Sequence, residues 1–256
     1  MVPSARKAVA IDLDGTLLDS RRSIGQLSLE MIGEIVQRGW VVILSTARPM
    51  RGIRQVVPQW FGDFYWVACN GAWVLKNEQI ISRVEMPSDQ VQYWIEVLRE
   101  KHLHFLVEAE DTLFSDQPPP GELNVGECLA LDQLGEGGAC KVLVQARCSE
   151  ETAVVQGLMP AECASVVTDG GRLIQIAHRE CSKLTGVRHV LDREGMGLNR
   201  VIAFGDDSND IPLVMEAGCG VAMGNAIEEL KTVADHIAAT NDEDGVGRFL
   251  KGLLSV

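Results

Sequence analysis

Ala8-Val9-Ala10-Ile11-Asp12-Leu13-Asp14-Gly15-Thr16-Leu17-Leu18 is a strand-like apolar run that closes on two carboxylates two positions apart, with glycine next. Side chains alternate along a strand, so Asp12 and Asp14 point the same way. At the end of a strand in an open parallel sheet they would meet at the crevice mouth, where a nucleophile, a proton donor and a cation site can share one place. An Asp that merely caps the following turn or helix fits this run equally well on its own. The rest of the chain decides between the two readings.

Strands alternate with helices at both ends of the sequence, the pattern of a parallel sheet covered on both faces. Strand 8–12 leads to a helix over 24–38, with Ser23 and Gln26 as a capping box, Ile24, Leu27, Met31 and Ile35 as the apolar stripe, and Gly39 as the stop. Strand 40–44 ends at Ser45-Thr46-Ala47-Arg48-Pro49, and a third strand over 65–69 ends at Asn70-Gly71 with a hairpin appended. From about Pro87 to Ile176 the pattern changes to a separate α+β domain. It has helices at 88–101 and 150–158 and strands at 104–108, 111–115, 141–147, 163–167 and 172–176. Surface loops are expected at Pro118-Pro119-Pro120-Gly121 and at Gly135-Glu136-Gly137-Gly138. The first pattern then resumes with helix 183–195, strand 200–204, helix 210–217, strand 219–222, helix 226–234, a short strand at 236–238 and a final amphipathic helix. The expected division is a core domain of residues 1–84 and 178–256 with residues 85–177 inserted.

The 256 residues are 46% hydrophobic, enough to fill such cores. The net charge of −13, with no local Lys/Arg cluster, opposes nucleic acid and anionic membrane, so a phosphorylated ligand would need a metal ion to enter. Seven scattered cysteines without a Cys-x-x-Cys spacing argue against a disulfide framework or zinc site and for a reducing, cytoplasmic location. No signal-like or membrane-length apolar run is visible.

An ionised Asp12 is a competent nucleophile toward phosphorus once a cation relieves its repulsion from an anionic phosphate. Asp14, beside a second acid, can hold a proton for the leaving oxygen and later activate water. Gly15 supplies a sharp turn whose N–H groups can face phosphate oxygens. Thr46 reaches the same crevice from its own strand end, although a plain helix cap explains a threonine there too; Arg48 either meets phosphate or braces the loop. Lys183, taken singly, reads as a solvated lysine; at a helix start it could neutralise Asp12 and phosphoryl oxygens. Gly205-Asp206-Asp207-Ser208-Asn209-Asp210 ends another apolar strand in hard oxygen ligands. An EF-hand is rejected, since counting from Asp206 puts Ile211 at the glycine position and Ala217 at the glutamate position; Mg²⁺ held by few carboxylates fits better. His102 and His104 read as boundary or surface histidines, Gly218-Cys219-Gly220-Val221-Ala222-Met223-Gly224 lacks the spacing of a dinucleotide loop, and the five tryptophans read as core or interdomain packing.

Asp12-x-Asp14-Gly15-Thr16, Thr46, Lys183 and Gly205-Asp206-x-x-Asn209-Asp210, in this order, resemble the haloacid dehalogenase superfamily of phosphohydrolases. The inserted domain between Thr46 and Lys183, with Asn70-Gly71-Ala72, Ala222-Met223-Gly224-Asn225-Ala226 and Thr240-Asn241-Asp242-Glu243-Asp244-Gly245-Val246, is similar to its Cof-type branch with a type IIB cap. The resemblance implies an α/β fold, a doubly wound, Rossmann-like parallel sheet carrying an inserted α+β cap. It implies that Asp12 is the phosphorylated nucleophile, Asp14 the general acid/base, and Thr46, Lys183 and Asn209 phosphate contacts. It implies a Mg²⁺ shell from the Asp12 side chain, the Asp14 carbonyl and Asp206, with Asp210 supporting it. Ala47 and Leu184 depart from the glycines usual in that branch, and His178 and Arg179, where the cap chain returns, are minor specificity candidates.

The expected function is a Mg²⁺-dependent phosphatase of small phosphorylated metabolites, sugar phosphates or phosphorylated cofactors, acting through an aspartyl-phosphate as a monomer or homodimer. A phosphomutase of the same superfamily and a non-catalytic phosphometabolite-binding protein are the alternatives. A receiver domain is disfavoured by the length of the chain and by a nucleophile on the first strand.

Overall fold

Strand β1, Ala8–Ile11, is buried at every residue, which requires cover on both of its faces. The computed structural model describes residues 7–57, 64–77, 79–117 and 128–255. After β1 come α1 (Gln26–Gln37), β2 (Val41–Ser45), α2 (Met50–Val56), β3 (Tyr65–Ala68), β4 (Trp73–Lys76) and β5 (Gln79–Arg83). A second stretch holds α3 (Ser88–Glu100), β6 (His104–Ala109), β7 (Thr112–Phe114), β8 (Cys128–Leu129), β9 (Lys141–Gln145), α4 (Ser149–Gly157), β10 (Cys163–Thr168) and β11 (Leu173–His178). The first pattern returns with α5 (Lys183–Glu194), β12 (Val201–Gly205), α6 (Ile211–Glu216), β13 (Cys219–Ala222), α7 (Glu228–Val233), β14 (His236–Ile237) and α8 (Gly245–Leu254). Met1–Arg83 and Ser182–Val256 make one compact unit, and Val84–Cys181 another.

The first unit has the sheet order β14-β13-β12-β1-β2-β3-β4-β5, parallel from β14 to β3 and antiparallel beyond. From β1 the chain winds outward through β2 and β3, then returns to wind the other way through β12, β13 and β14. The carboxyl ends of β1, β2 and β12 therefore lie at the switch point of a doubly wound sheet, the place where such folds bind ligands. Helix α1 packs on α8, whose Phe249 meets Phe204 of β12 edge-on with ring centroids 5.4 Å apart. Helices α5 and α6 pack on the strands and on each other.

The second unit has a six-stranded sheet, β10-β11-β9-β6-β7-β8, antiparallel except at β7–β8. Val91, Trp94, Ile95 and Leu98 of α3 are the buried stripe expected from helical spacing, and they join Phe105, Val107, Val142, Val144, Ile174 and Ile176 in one core. The Pro118–Gly121 segment lies outside the described residues.

Three local expectations are corrected. Helix α1 starts at Gln26, and its buried residues are Ser28, Ile32 and Ile35, so the stripe turns from the one expected. Its cap is not Ser23 with Gln26: Asp244 reaches across the unit to accept the Leu27 N–H at 2.8 Å, the Ser28 N–H at 3.2 Å and the Ser28 hydroxyl. Ser28 Oγ in turn accepts the Gly247 N–H at 2.9 Å, which explains a buried serine on this face. Helix α2 was not expected, because seven residues with Gly52 inside and only Met50 and Ile53 buried carry too weak a period to read. Replacing Asp244 by Ala removes the cap and leaves Ser28 short of a partner, so urea or thermal melts should show a loss of about 1–2 kcal/mol. An unchanged melting curve would refute the long-range cap.

Candidate active site

Asp12 continues β1, its N–H donating to the Phe204 carbonyl at 3.2 Å, and the residue is 5% exposed. Lys183 is the first residue of α5, held by a reciprocal cap in which Ser182 Oγ accepts the Thr185 N–H and Thr185 Oγ1 accepts the Ser182 N–H, both at 3.0 Å. From there its ammonium, 2% exposed, donates to Asp12 Oδ1 at 2.7 Å and Asp210 Oδ1 at 2.6 Å. A lysine that reads alone as a surface residue is the fully buried bridge between two acids.

Asp206 follows β12 and accepts the Thr16 hydroxyl at 3.1 Å. Asp210 Oδ2 accepts the N–H groups of Asp206 and Asp207 at 3.1 and 3.2 Å, so its two oxygens hold both Lys183 and the turn. Gly15 and Gly205 allow this packing: Gly15 has φ +77°, and a Cβ there would lie 2.2 Å from Asp206 Oδ2; at Gly205 one would lie 2.4 Å from the Asp210 Cβ. The motif turn is tied down by Asn225, which donates to the Gly15 carbonyl at 2.8 Å, and by Asn241, which donates to the Leu18 carbonyl at 2.9 Å.

Carboxylate oxygens of Asp12, Asp206 and Asp210 lie within 4.8 Å of one another. Burial is the main force raising the Asp12 pKa well above the ordinary carboxylate value; Lys183 opposes this, while Asp210 and Asp206 add to it. Burial and the Asp210 charge push Asp206 up to about 6. Burial by itself would lower the Lys183 pKa, but the Asp12 and Asp210 charges outweigh it and raise the value. Three acids, Asp12 and Asp210 buried and Asp206 half-buried, against one ammonium leave negative charge in an all-oxygen cluster without Cys or His, a donor set suited to a hard divalent cation.

Thr46 is 1% exposed, and its hydroxyl oxygen accepts the Arg48 N–H at 3.1 Å. Arg48 is resolved in favour of an acid: Nε and Nη2 each donate to Asp14 at 2.6 Å. The Asp14 carboxylate thus faces Arg48, outside the three-acid cluster. Neither Ala47 nor Leu184 has a positive φ, so neither position requires the family's glycine. His178 and Arg179 fall in the second unit, where Arg179 donates to the Ala161 carbonyl at 3.2 Å. Gly218 and Gly220 serve packing: Cβ atoms there would lie 2.2 Å from the Asn199 carbonyl oxygen and 2.3 Å from that of Val214.

Sequence reasoning gave Asn70 no role. It is 8% exposed and accepts Asn209 Nδ2 at 2.9 Å. Cys69, Asn70 and Gly71 all have positive φ, at +51°, +55° and +99°. Such strain costs about 1–2 kcal/mol per non-glycine residue and gathers at functional sites.

A lysine-bridged cluster of acids at the switch point of a doubly wound sheet suits phosphoryl-transfer chemistry, and the class of protein is given by its relatives. A family model described as haloacid dehalogenase-like hydrolase matches residues 9–250, and the chain belongs to that family. The 5-amino-6-(5-phospho-D-ribitylamino)uracil phosphatase YitU of Bacillus subtilis is 32% identical over 97% of this chain and 97% of its own. The pyridoxal phosphate phosphatase YbhA of Escherichia coli is 25% identical over 95% of this chain and 97% of its own. The solved structure of the subclass IIB sugar phosphatase BT4131 superposes with TM-score 0.81 at 22% identity, covering 98% of this chain and all of that one. The chain is a phosphoric monoester hydrolase of the haloacid dehalogenase superfamily, Cof-type branch. Among the described residues no helix is long and apolar enough to cross a membrane.

Proposed function

We propose that this enzyme is a Mg²⁺-dependent phosphatase of small phosphorylated metabolites, sugar phosphates or phosphorylated cofactors, working through an aspartyl-phosphate on Asp12. The observation that carries this reading is the buried Lys183 bridge between Asp12 and Asp210 with Asp206 alongside, at the sheet's switch point. The named activities of YitU and YbhA, on a phosphoribityl pyrimidine and on pyridoxal phosphate, support the substrate class. The inserted unit 84–181 is assigned the role of cap and the choice of substrate. We place the enzyme in the cytoplasm as a monomer or homodimer, with no nucleic-acid or membrane partner.

Lys183 holds Asp12 Oδ1, which orients the carboxylate and leaves Oδ2 to attack phosphorus. As that bond forms, the bond from phosphorus to the ester oxygen breaks, and the leaving oxygen takes its electron pair and a proton from Asp14. Asp14 reaches it by releasing Arg48. Asp14 then removes a proton from water, the water oxygen attacks phosphorus, and the bond to Asp12 breaks to free inorganic phosphate and restore the carboxylate. The Thr46 hydroxyl, the Gly15 N–H, Lys183 and Asn209 Nδ2 are the donors for the phosphoryl oxygens. Asp12, the Asp14 carbonyl and Asp206, backed by Asp210, would hold Mg²⁺, which supplies the positive charge that lets a carboxylate approach an anionic phosphoryl group.

The test is phosphate release from a panel of sugar phosphates, nucleotides and phosphorylated cofactors, with Mg²⁺ or with EDTA. Release should fall by about a hundredfold or more under chelation, as expected when a group that stabilises transition-state charge is removed. Release that is indifferent to EDTA would refute the metal assignment; no release from any compound would favour the mutase or the binder.

A further inference from the structure

From the Asn70–Asn209 contact we infer that Asn70 is a positioning residue for catalysis, one that sets which face of the Asn209 amide meets the phosphoryl group. This rests on the reading of Asn209 as a phosphate contact. An amide can sit in two flipped orientations, and its neighbours choose between them. Asn209 Nδ2 donates to Asn70 Oδ1 at 2.9 Å, while Asn209 Oδ1 is buried without a partner among the described residues. With Asn70 presenting Oδ1, as it does here, the flipped Asn209 amide would set oxygen against oxygen, so this orientation of Asn70 selects the donor side. Nδ2 carries two hydrogens; with one committed to Asn70, the amide plane is locked and the second hydrogen has a fixed aim.

The backbone around Asn70 is built to hold that side chain still. The Asn70 N–H donates to the Thr46 carbonyl at 2.9 Å and the Cys69 N–H to the Arg48 carbonyl at 3.0 Å, so this turn and the Thr46 turn are fastened together. A Cβ on Gly71 would lie 2.0 Å from the Ser182 carbonyl oxygen, so the same turn abuts the residue that caps the Lys183 helix. Asn70 thereby links three segments whose side chains meet phosphate. Asparagine suits this position doubly, since it tolerates a left-handed backbone better than most residues and supplies the amide oxygen.

Asn70→Gly separates these roles, because glycine accepts the left-handed backbone without strain while removing the side chain that carries the amide. The measurements are kcat and KM on the best panel substrate, the inhibition constant of inorganic phosphate, and thermal melts, for N70G, N209A and the double variant. The expected result is a KM and a phosphate inhibition constant raised about tenfold in both single variants, with a smaller change in kcat. Melting temperatures should stay close to wild type, and the double variant should be no worse than N209A alone, the signature of two residues acting through one contact. N209A impaired with N70G at wild-type affinity overturns the positioning role while leaving the phosphate contact intact, as do additive effects in the double variant. N209A at wild-type affinity overturns the phosphate contact itself and the inference with it.

Discussion

Asp12→Asn is expected to lower turnover by about a thousandfold or more while the protein stays folded, the loss typical of removing a nucleophile. The amide is nearly isosteric with the carboxylate and can still accept from Lys183, so packing survives. The swap also removes the Asp12 negative charge, which burial and the neighbouring Asp210 and Asp206 already disfavour. A stopped assay for phosphate release, paired with a thermal melt, checks both halves. Turnover surviving in a folded D12N protein would end the aspartyl-phosphate mechanism.

Lys183→Met should be damaging in both activity and stability, unlike Asp12→Asn. Methionine has similar length and fills the space but leaves Asp12 and Asp210 buried without their cation. Breaking a buried pair in this way costs about 3–5 kcal/mol, because the partner charges lose their compensation without regaining water. For a unit of this size that corresponds to a melting temperature lowered on the order of 10 °C, to be measured in Mg²⁺-free buffer. Turnover should fall by about a hundredfold or more as Asp12 loses its orientation and the phosphoryl oxygens lose a donor. Lys183→Arg should not restore it, since a planar fork does not replace a point charge in a pocket only 2% exposed. A Lys183→Met protein as stable as wild type would show that the bridge has no structural weight.

The architecture was legible because its signals are local. Apolar runs such as Ala8–Ile11 and Val41–Leu44 end on polar turns, and the α3 stripe repeats at helical spacing, so strand and helix could be read from neighbouring residues. What escaped depends on residues far apart in the chain. The cap of α1 comes from a residue more than 200 positions away, while the nearby Ser23 offers a plausible but unused substitute. Arg48 has an open choice in sequence, and only the fold brings Asp14 within 2.6 Å of it. Asn70-Gly71 reads as a hairpin turn, and the Asn-Gly pair is compatible with its left-handed backbone, but its contact with Asn209, 139 positions away, has no trace in the order of residues. The asparagines that hold the strand ends, Asn70, Asn225 and Asn241, act through contacts with Asn209, Gly15 and Leu18 that join distant segments, and no local pattern signals such contacts.

The place of β1 between β2 and β12 bears on how the protein is made. Ala8–Ile11 has one partner, Val41–Leu44, that is made soon after it, and another, Val201–Phe204, that is made about 190 residues later. Until the ribosome has passed that point, a wholly apolar strand presents unpaired amides and carbonyls, and α1 lacks the Asp244 that will cap it. The Val84–Cys181 unit has its own sheet and core and can form in the interval. The strand order thus makes the first strand's second edge the last to be covered during synthesis, and the interval before β12 emerges is when that edge is open to pairing with another strand.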